Sequence, residues 1–198
     1  MLTIVKYVLL RYNSGLPHAH ILLILGNEDK PHSPEIVDCL VCAEIPDIAT
    51  NPKLFDVITR CNIHGPCGSI NTNSPCMQGE GQSRCCSKSF PKPFASRTLF
   101  CDISYPVYRR RSPTEGGRTY TMRVRGGQNF QVDNRWVVPY NPFLSLQYNA
   151  HINVEVVHCV SAVKYLYKYI TKGNDKVMIT LATLASKLTL RLIKSSIT

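Results

Sequence analysis

The chain has 198 residues, 44% hydrophobic and 18% charged, enough for a core and contrary to the composition of a disordered segment. Lys plus Arg number 23 against 13 Asp plus Glu, a formal charge of +10 that points to a polyanionic partner, nucleic acid before membrane. No run of about 18 uncharged apolar residues is present to span a membrane, and the N-terminal apolar run, broken by Lys6, lacks the cleavage site of a secretory signal.

In chain order, residues 2–10 read as a buried strand and His18–Leu25 as a second. Asn13-Ser14-Gly15 supplies a turn between them, so a hairpin is predicted. Ser33 followed by Pro34 and Glu35 is a helix start, with Ile36, Val37 and Leu40 on one face. A second helix is predicted around Pro52–Arg60. Residues 61–94 are dense in Cys, Gly, Ser, Asn and Pro, a loop that needs something other than a core to hold it. The densest basic stretch follows, with Arg109, Arg110, Arg111, Arg118, Arg123 and Arg125. Residues 150–157 alternate as a half-buried strand, with His151, Asn153 and Glu155 on one face. A helix is predicted over about 159–172, and residues 177–198 form a tail of different texture.

Three groups of residues carry chemistry. His18 and His20 are two apart in a strand, so they share a face with Cα atoms about 6–7 Å apart and can converge on one divalent ion. In so short a pattern, hydrogen-bonded core histidines are the commoner outcome. In the predicted C-terminal helix, Val160, Val163, Leu166, Tyr167 and Ile170 form the core stripe. Tyr165 and Tyr169 fall together on the opposite side, beside a ridge of Lys164, Lys168 and Lys172 at i, i+4 spacing. That face reads either as paired nucleophiles with phosphate-binding support or as an ordinary solvated lysine face. Finally, the nine cysteines are odd in number, and reduced thiols that bind metal are expected ahead of a disulfide framework. His64, Cys67, Cys76 and Cys86 are the predicted ligands of a structural Zn²⁺, with Cys85 and Cys61 as nearby alternatives and unliganded thiols as the rival reading.

Eight blocks stand in order: GLPHAHILL (15–23), AEIPD (43–47), IHGPCG (63–68), SPCM (74–77), CSKSFPK (86–92), YPVYRRR (105–111), DNRWVVPYNPFLSLQYNAHINVE (133–155) and KYLYKYITKG (164–173). Together they resemble the Rep endonuclease region of Helitron transposases, the helitron helicase-like domain of the HUH nuclease superfamily. The resemblance covers about residues 8–176. It implies an α+β fold, a ferredoxin-like antiparallel sheet with flanking helices, here incomplete and carrying the Cys-rich insertion at 61–94.

The resemblance further implies metal-dependent nicking and strand transfer of single-stranded DNA through a phosphotyrosine, as in rolling-circle transposition, and a nuclear location. Tyr165 and Tyr169 match the paired nucleophiles, and His18 and His20 match the ligands of a catalytic Mg²⁺ or Mn²⁺. Lys164, Lys168 and Lys172, with Arg109, Arg110 and Arg111, are expected to hold the DNA backbone. The family carries Glu-aromatic-Gln just before Gly-Leu-Pro, whereas Leu10-Arg11-Tyr12 stand here, so the third metal ligand is unassigned. His151 or Glu155 could replace it. No Gly-x4-Gly-Lys-Ser/Thr motif occurs, so no helicase activity is expected of this chain. Two other readings are an inactive remnant that only binds single-stranded DNA and a zinc-stabilised interaction module.

Overall fold

The structure is a computed structural model that describes residues 5–11, 18–100, 105–123, 127–157 and 177–179. The chain divides into two compact units, Met1–Pro31 with Val160–Thr198 and His32–Cys159. Elements of both classes, helices and antiparallel strands, make it a mixed α+β protein.

In the first unit, β1 (Val5–Arg11) and β2 (His18–Ile24) form the predicted antiparallel hairpin, in register from Val5 opposite Ile24 to Arg11 opposite His18. The short strand Val177–Ile179 pairs with the other edge of β1, so β1 is central in a three-stranded antiparallel sheet. Those three residues fall in the segment of different texture beyond residue 176. Their apolar Val-Met-Ile sequence suits a position beside a central strand.

The second unit begins with α1 (Pro34–Leu40), started as the sequence predicts. Ser33 Oγ accepts the Ile36 N–H at 3.4 Å, and Pro34 occupies the first turn, where its missing N–H costs nothing. The predicted apolar face is only partly buried. Val37 is fully enclosed with Val41, Ala43 and Tyr108, while Ile36 and Leu40 remain largely in solvent because the core touches one edge of so short a helix. α2 (Pro52–Cys61) buries Leu54, Val57 and Ile58. Two hairpins follow, β3 (Met77–Gln78) with β4 (Cys85–Cys86), and β5 (Tyr120–Arg123) with β6 (Asn129–Val132). The chain then enters α3 (Pro142–Tyr148), capped by Asn141, whose Oδ1 accepts the Leu144 N–H.

With so little sheet, buried side chains take over the task of pairing backbone groups. Asn62 lies fully buried and bonds residue 152 in both directions, its Nδ2 to the Ile152 carbonyl and its Oδ1 from the Ile152 N–H. Asn134 accepts the Ile45 N–H at 2.8 Å and donates to the Arg111 carbonyl at 2.9 Å. Residues 150–157 show what this substitution does. They keep the predicted alternation, with His151, Asn153 and Glu155 outward, but they form no strand. Val154 donates to the carbonyl of Pro139, which has no N–H to return, and Val156 donates to the Tyr108 hydroxyl. A ladder cannot grow from such partners.

The arginine stretch is equally instructive. Arg111 grips Glu44 from its backbone N–H and its Nε, both at 2.8 Å to Oε1, and from Nη2 at 2.6 Å to Oε2. Arg109 reaches Asp38 at 3.2 Å and Glu44 at 3.4 Å. Arg110 is buried, with Nη1 donating to the carbonyls of Asn134 and Val137. These three residues therefore help tie the fold together: Arg110 is enclosed in the interior, and any phosphate at Arg109 or Arg111 would compete with Asp38 and Glu44. Their cations are spent on carboxylates and carbonyls that the core would otherwise leave unpaired.

Glu44 makes the acid side of this network testable. Burial pushes its carboxyl up, but the side-chain and backbone hydrogen bonds of Arg111 outweigh that and hold it below the ordinary 4.5. A depressed carboxyl stabilises the fold fully above pH 4.5 and loses that contribution as pH falls through the lower folded value. Glu44→Gln is expected to cost about 1.5–3 kcal/mol at pH 7. The gap between variant and parent should narrow as pH drops below 4.5 in urea-unfolding curves. A gap independent of pH from 7 to 3 would refute the assignment.

Candidate metal centre

α2 ends at Cys61, and the chain leaves it through the buried Asn62, whose carbonyl accepts the Val138 N–H. This places Ile63 beside Val137 and lets His64 donate its backbone N–H to Trp136 at 2.8 Å. The imidazole of His64 stacks on Phe90, with centroids 4.2 Å apart, and lies parallel to the Trp136 ring at 6.5 Å. The ring orientation is thereby set by packing, with Nε2 toward the cysteines.

Turns bring in the sulfurs. Gly68, at φ 68°, closes the turn after Cys67 and donates its N–H to the Met77 sulfur. Cys76 enters β3, and Ser87 donates to its carbonyl across the hairpin. At the hairpin's far end Gly79 has φ 90°, and a Cβ there would meet the Ser83 carbonyl oxygen at 2.9 Å, so glycine is required. Cys86 lies in β4, and the Lys88 N–H donates to its Sγ at 3.4 Å.

The ligand atoms of His64, Cys67, Cys76 and Cys86 all lie within 4.8 Å of one another. Tetrahedral Zn²⁺ with bonds near 2.3 Å to sulfur and 2.0–2.1 Å to nitrogen separates its ligand atoms by about 3.5–3.8 Å. His64 Nε2 stands 3.7 Å from Cys67 Sγ and 3.5 Å from Cys86 Sγ. Donor set and spacing are thus compatible with a structural zinc site, and the four residues are those singled out by spacing. Cys85, the alternative to Cys86, points outward.

The electrostatics suit the same ion. Burial, then the charges of Lys92 and Lys88, hold the His64 pKa below 6.5, so the ring is neutral at pH 7 and able to ligate. Burial and the neighbouring thiols of Cys76 and Cys86 push Cys67 up to about 12. Burial also pushes Cys86 up, but backbone hydrogen bonds at Phe90 and Lys88 reverse the shift and favour its thiolate. Metal uptake therefore releases protons.

The other predicted site residues are placed less fully. His18 and His20 occupy alternate positions of β2, opposite Arg11 and Leu9. Tyr165, Tyr169, Lys164, Lys168 and Lys172 lie outside the described residues. His151, a substitute ligand by sequence, donates its Nδ1–H to the Cys61 carbonyl at 2.7 Å. Phe90 and Trp136, which orient His64, escape a search for ligands because aromatic residues carry no ligand signature. All seven cysteines among the described residues are free of disulfides. No helix among the described residues is long and apolar enough to cross a membrane. Compared with known proteins, the chain matches no protein-family model and no curated protein.

Proposed function

We propose that the chain is a Helitron-type HUH endonuclease region that nicks and transfers single-stranded DNA, with β1, β2 and Val177–Ile179 contributing to its ferredoxin-like sheet. The observation that carries the reading is the unbroken β1–β2 register, which sets His18 and His20 at alternate positions of a paired strand, as two ligands of one ion require. The eight ordered sequence blocks support it. Mg²⁺ or Mn²⁺ held there would polarise the scissile phosphate. Tyr165 or Tyr169 attacks phosphorus through its phenolic oxygen. The P–O3′ bond breaks, the phenolic proton ends on the departing 3′ oxygen, and a 5′-phosphotyrosine remains. Lys164, Lys168 and Lys172 hold adjoining phosphates. The His64 quartet takes Zn²⁺ and holds the loop in shape.

One observation favours the inactive remnant that only binds DNA. Arg11 stands where the resembled family carries its Glu-aromatic-Gln sequence, and it is the direct cross-strand partner of His18. A cation in that position opposes a divalent ion beside it.

Incubation of the chain with a single-stranded oligonucleotide and Mn²⁺ tests the reading. Active protein yields a covalent adduct that maps to Tyr165 or Tyr169 and is lost in the Y165F/Y169F double variant, but not in Y167F. The H18A/H20A variant should lose the adduct and keep DNA binding. An adduct at any other residue, or one indifferent to the histidines, refutes the mechanism. No adduct, with salt-sensitive DNA binding retained, identifies the remnant.

A further inference from the structure

In His32–Val157, six of the twelve lysines and arginines among the described residues are already engaged. Arg60, Arg109, Arg111, Arg118 and Arg135 are in ion pairs, and Arg110 is caged by carbonyls. The cations outside such partnerships are Lys53, Arg123 and four that are close in sequence, Arg84, Lys88, Arg97 and Lys92, the last over the Phe90 ring. Between residues 81 and 100 the sequence contains no Asp or Glu at all. The positive charge expected at Arg109–Arg111 faces Asp38 and Glu44 there, whereas here Lys92 has Glu155 near it and Arg84, Lys88 and Arg97 have no ion-pair partner among the described residues.

This strip is held in place. Cys86 belongs to β4 and to the His64 cluster, Lys92 donates its backbone N–H to Arg135 at 2.9 Å, and Ala95 pairs with Arg110. Arg84, Lys88 and Arg97 are exposed, as are Pro91 and Pro93 between them. Phe94 is 37% exposed, with the Arg135 guanidinium 4.7 Å from its ring centroid on one side. The bidentate Asp133 carboxylate holds Arg135 in turn. Exposed cations on an anchored backbone, with a partly exposed aromatic ring among them, are the combination that binds single strands, phosphates on the cations and a base against the ring. A duplex conceals its base faces and offers Phe94 nothing to stack on.

We infer that the strip from Arg84 to Arg97 over the His64 cluster is a binding surface for single-stranded DNA, with Arg84, Lys88 and Arg97 contacting phosphates and Phe94 stacking a base. The choice of DNA among polyanions rests on the proposed function; the surface itself rests on exposure and charge.

Fluorescence anisotropy of the full chain with a labelled dT20 strand tests it, with a duplex of equal length and poly-glutamate as competitors. The triple variant R84Q/K88Q/R97Q is expected to bind dT20 at least about tenfold more weakly and to reduce the salt slope by about two. Phe94→Ala is expected to lose about fivefold or more on dT20 and little on duplex. Lys53→Gln with Arg123→Gln should stay within about twofold of the parent. Zinc content and Trp136 fluorescence matching the parent show that each variant is folded. Parent-like affinity and salt slope in a folded triple variant overturn the inference, and so does poly-glutamate competing as well as dT20, which would assign the strip to an acidic protein. A Y165F/Y169F chain that forms no adduct yet binds dT20 through this strip separates failure of the nicking chemistry from failure of the surface.

Discussion

Cys86→Ser is expected to cost the protein its stoichiometric zinc and, with it, the main core of the second unit. The reason is shared packing. Cys67 and Cys86 are 1% and 8% exposed and belong to the same apolar cluster as Ile58, Val132, Trp136 and Val137. His64 stacks on Phe90 and lies parallel to Trp136, so the cluster's nitrogen ligand packs against that core too. Zinc binding in small structural sites contributes about 10–16 kcal/mol near pH 7, as much as the whole stability of an ordinary domain, about 5–15 kcal/mol. The loop cannot therefore open while the core stays closed. Trp136 is the sole tryptophan and is 3% exposed, so its fluorescence reports the event directly. The expected result is about one zinc per parent chain, none in C86S, and a red-shifted Trp136 emission both in C86S and in the parent treated with a strong chelator. Cys85→Ser, one residue away on the exposed side, should behave as the parent does. Zinc-free parent protein with native emission would remove the metal from the account.

Local signals in this chain were legible wherever the responsible residues are neighbours in sequence. Ser33 with Pro34 announces α1, the two apolar runs announce the β1–β2 hairpin, and the spacing of His64, Cys67, Cys76 and Cys86 announces a cluster that the fold brings together. What stayed hidden depends on distant partners. The alternation at 150–157 is real, but whether alternating residues form a strand depends on what lies opposite. Pro139, Asn62 and the Tyr108 hydroxyl lie there instead of a free strand edge. The availability of charge depends on distant partners in the same way. A run of three arginines looks like a phosphate clamp until Asp38 and Glu44, more than sixty residues earlier, fold against it.

Arg110→Met should separate the two meanings of that run most sharply. The Arg110 side chain is 4% exposed, and its Nη1 donates to Asn134 at 2.6 Å, Val137 at 2.7 Å and, more weakly, Ala43 at 3.4 Å. Burial lowers its pKa to about 10, which still leaves it charged at pH 7. Methionine fills similar volume but offers no N–H, leaving the Val137 carbonyl without its donor and the Asn134 carbonyl with only the long 3.4 Å bond from the Val137 N–H. Losing a buried charged donor shared among several acceptors is expected to cost about 3–5 kcal/mol. The urea midpoint should fall by on the order of 2 M. Lysine should recover only part of this, because its ammonium ends one bond short of the Arg110 Nη1 position and is the more strongly hydrated cation to bury. A phosphate-binding arginine behaves in the opposite way, since its removal weakens DNA binding and spares stability. Measured side by side, Arg110→Met should lower the unfolding midpoint and leave the salt slope of dT20 binding by the still-folded protein unchanged. An unchanged midpoint with a flattened salt slope would return Arg110 to the DNA-binding surface and overturn its place in the core.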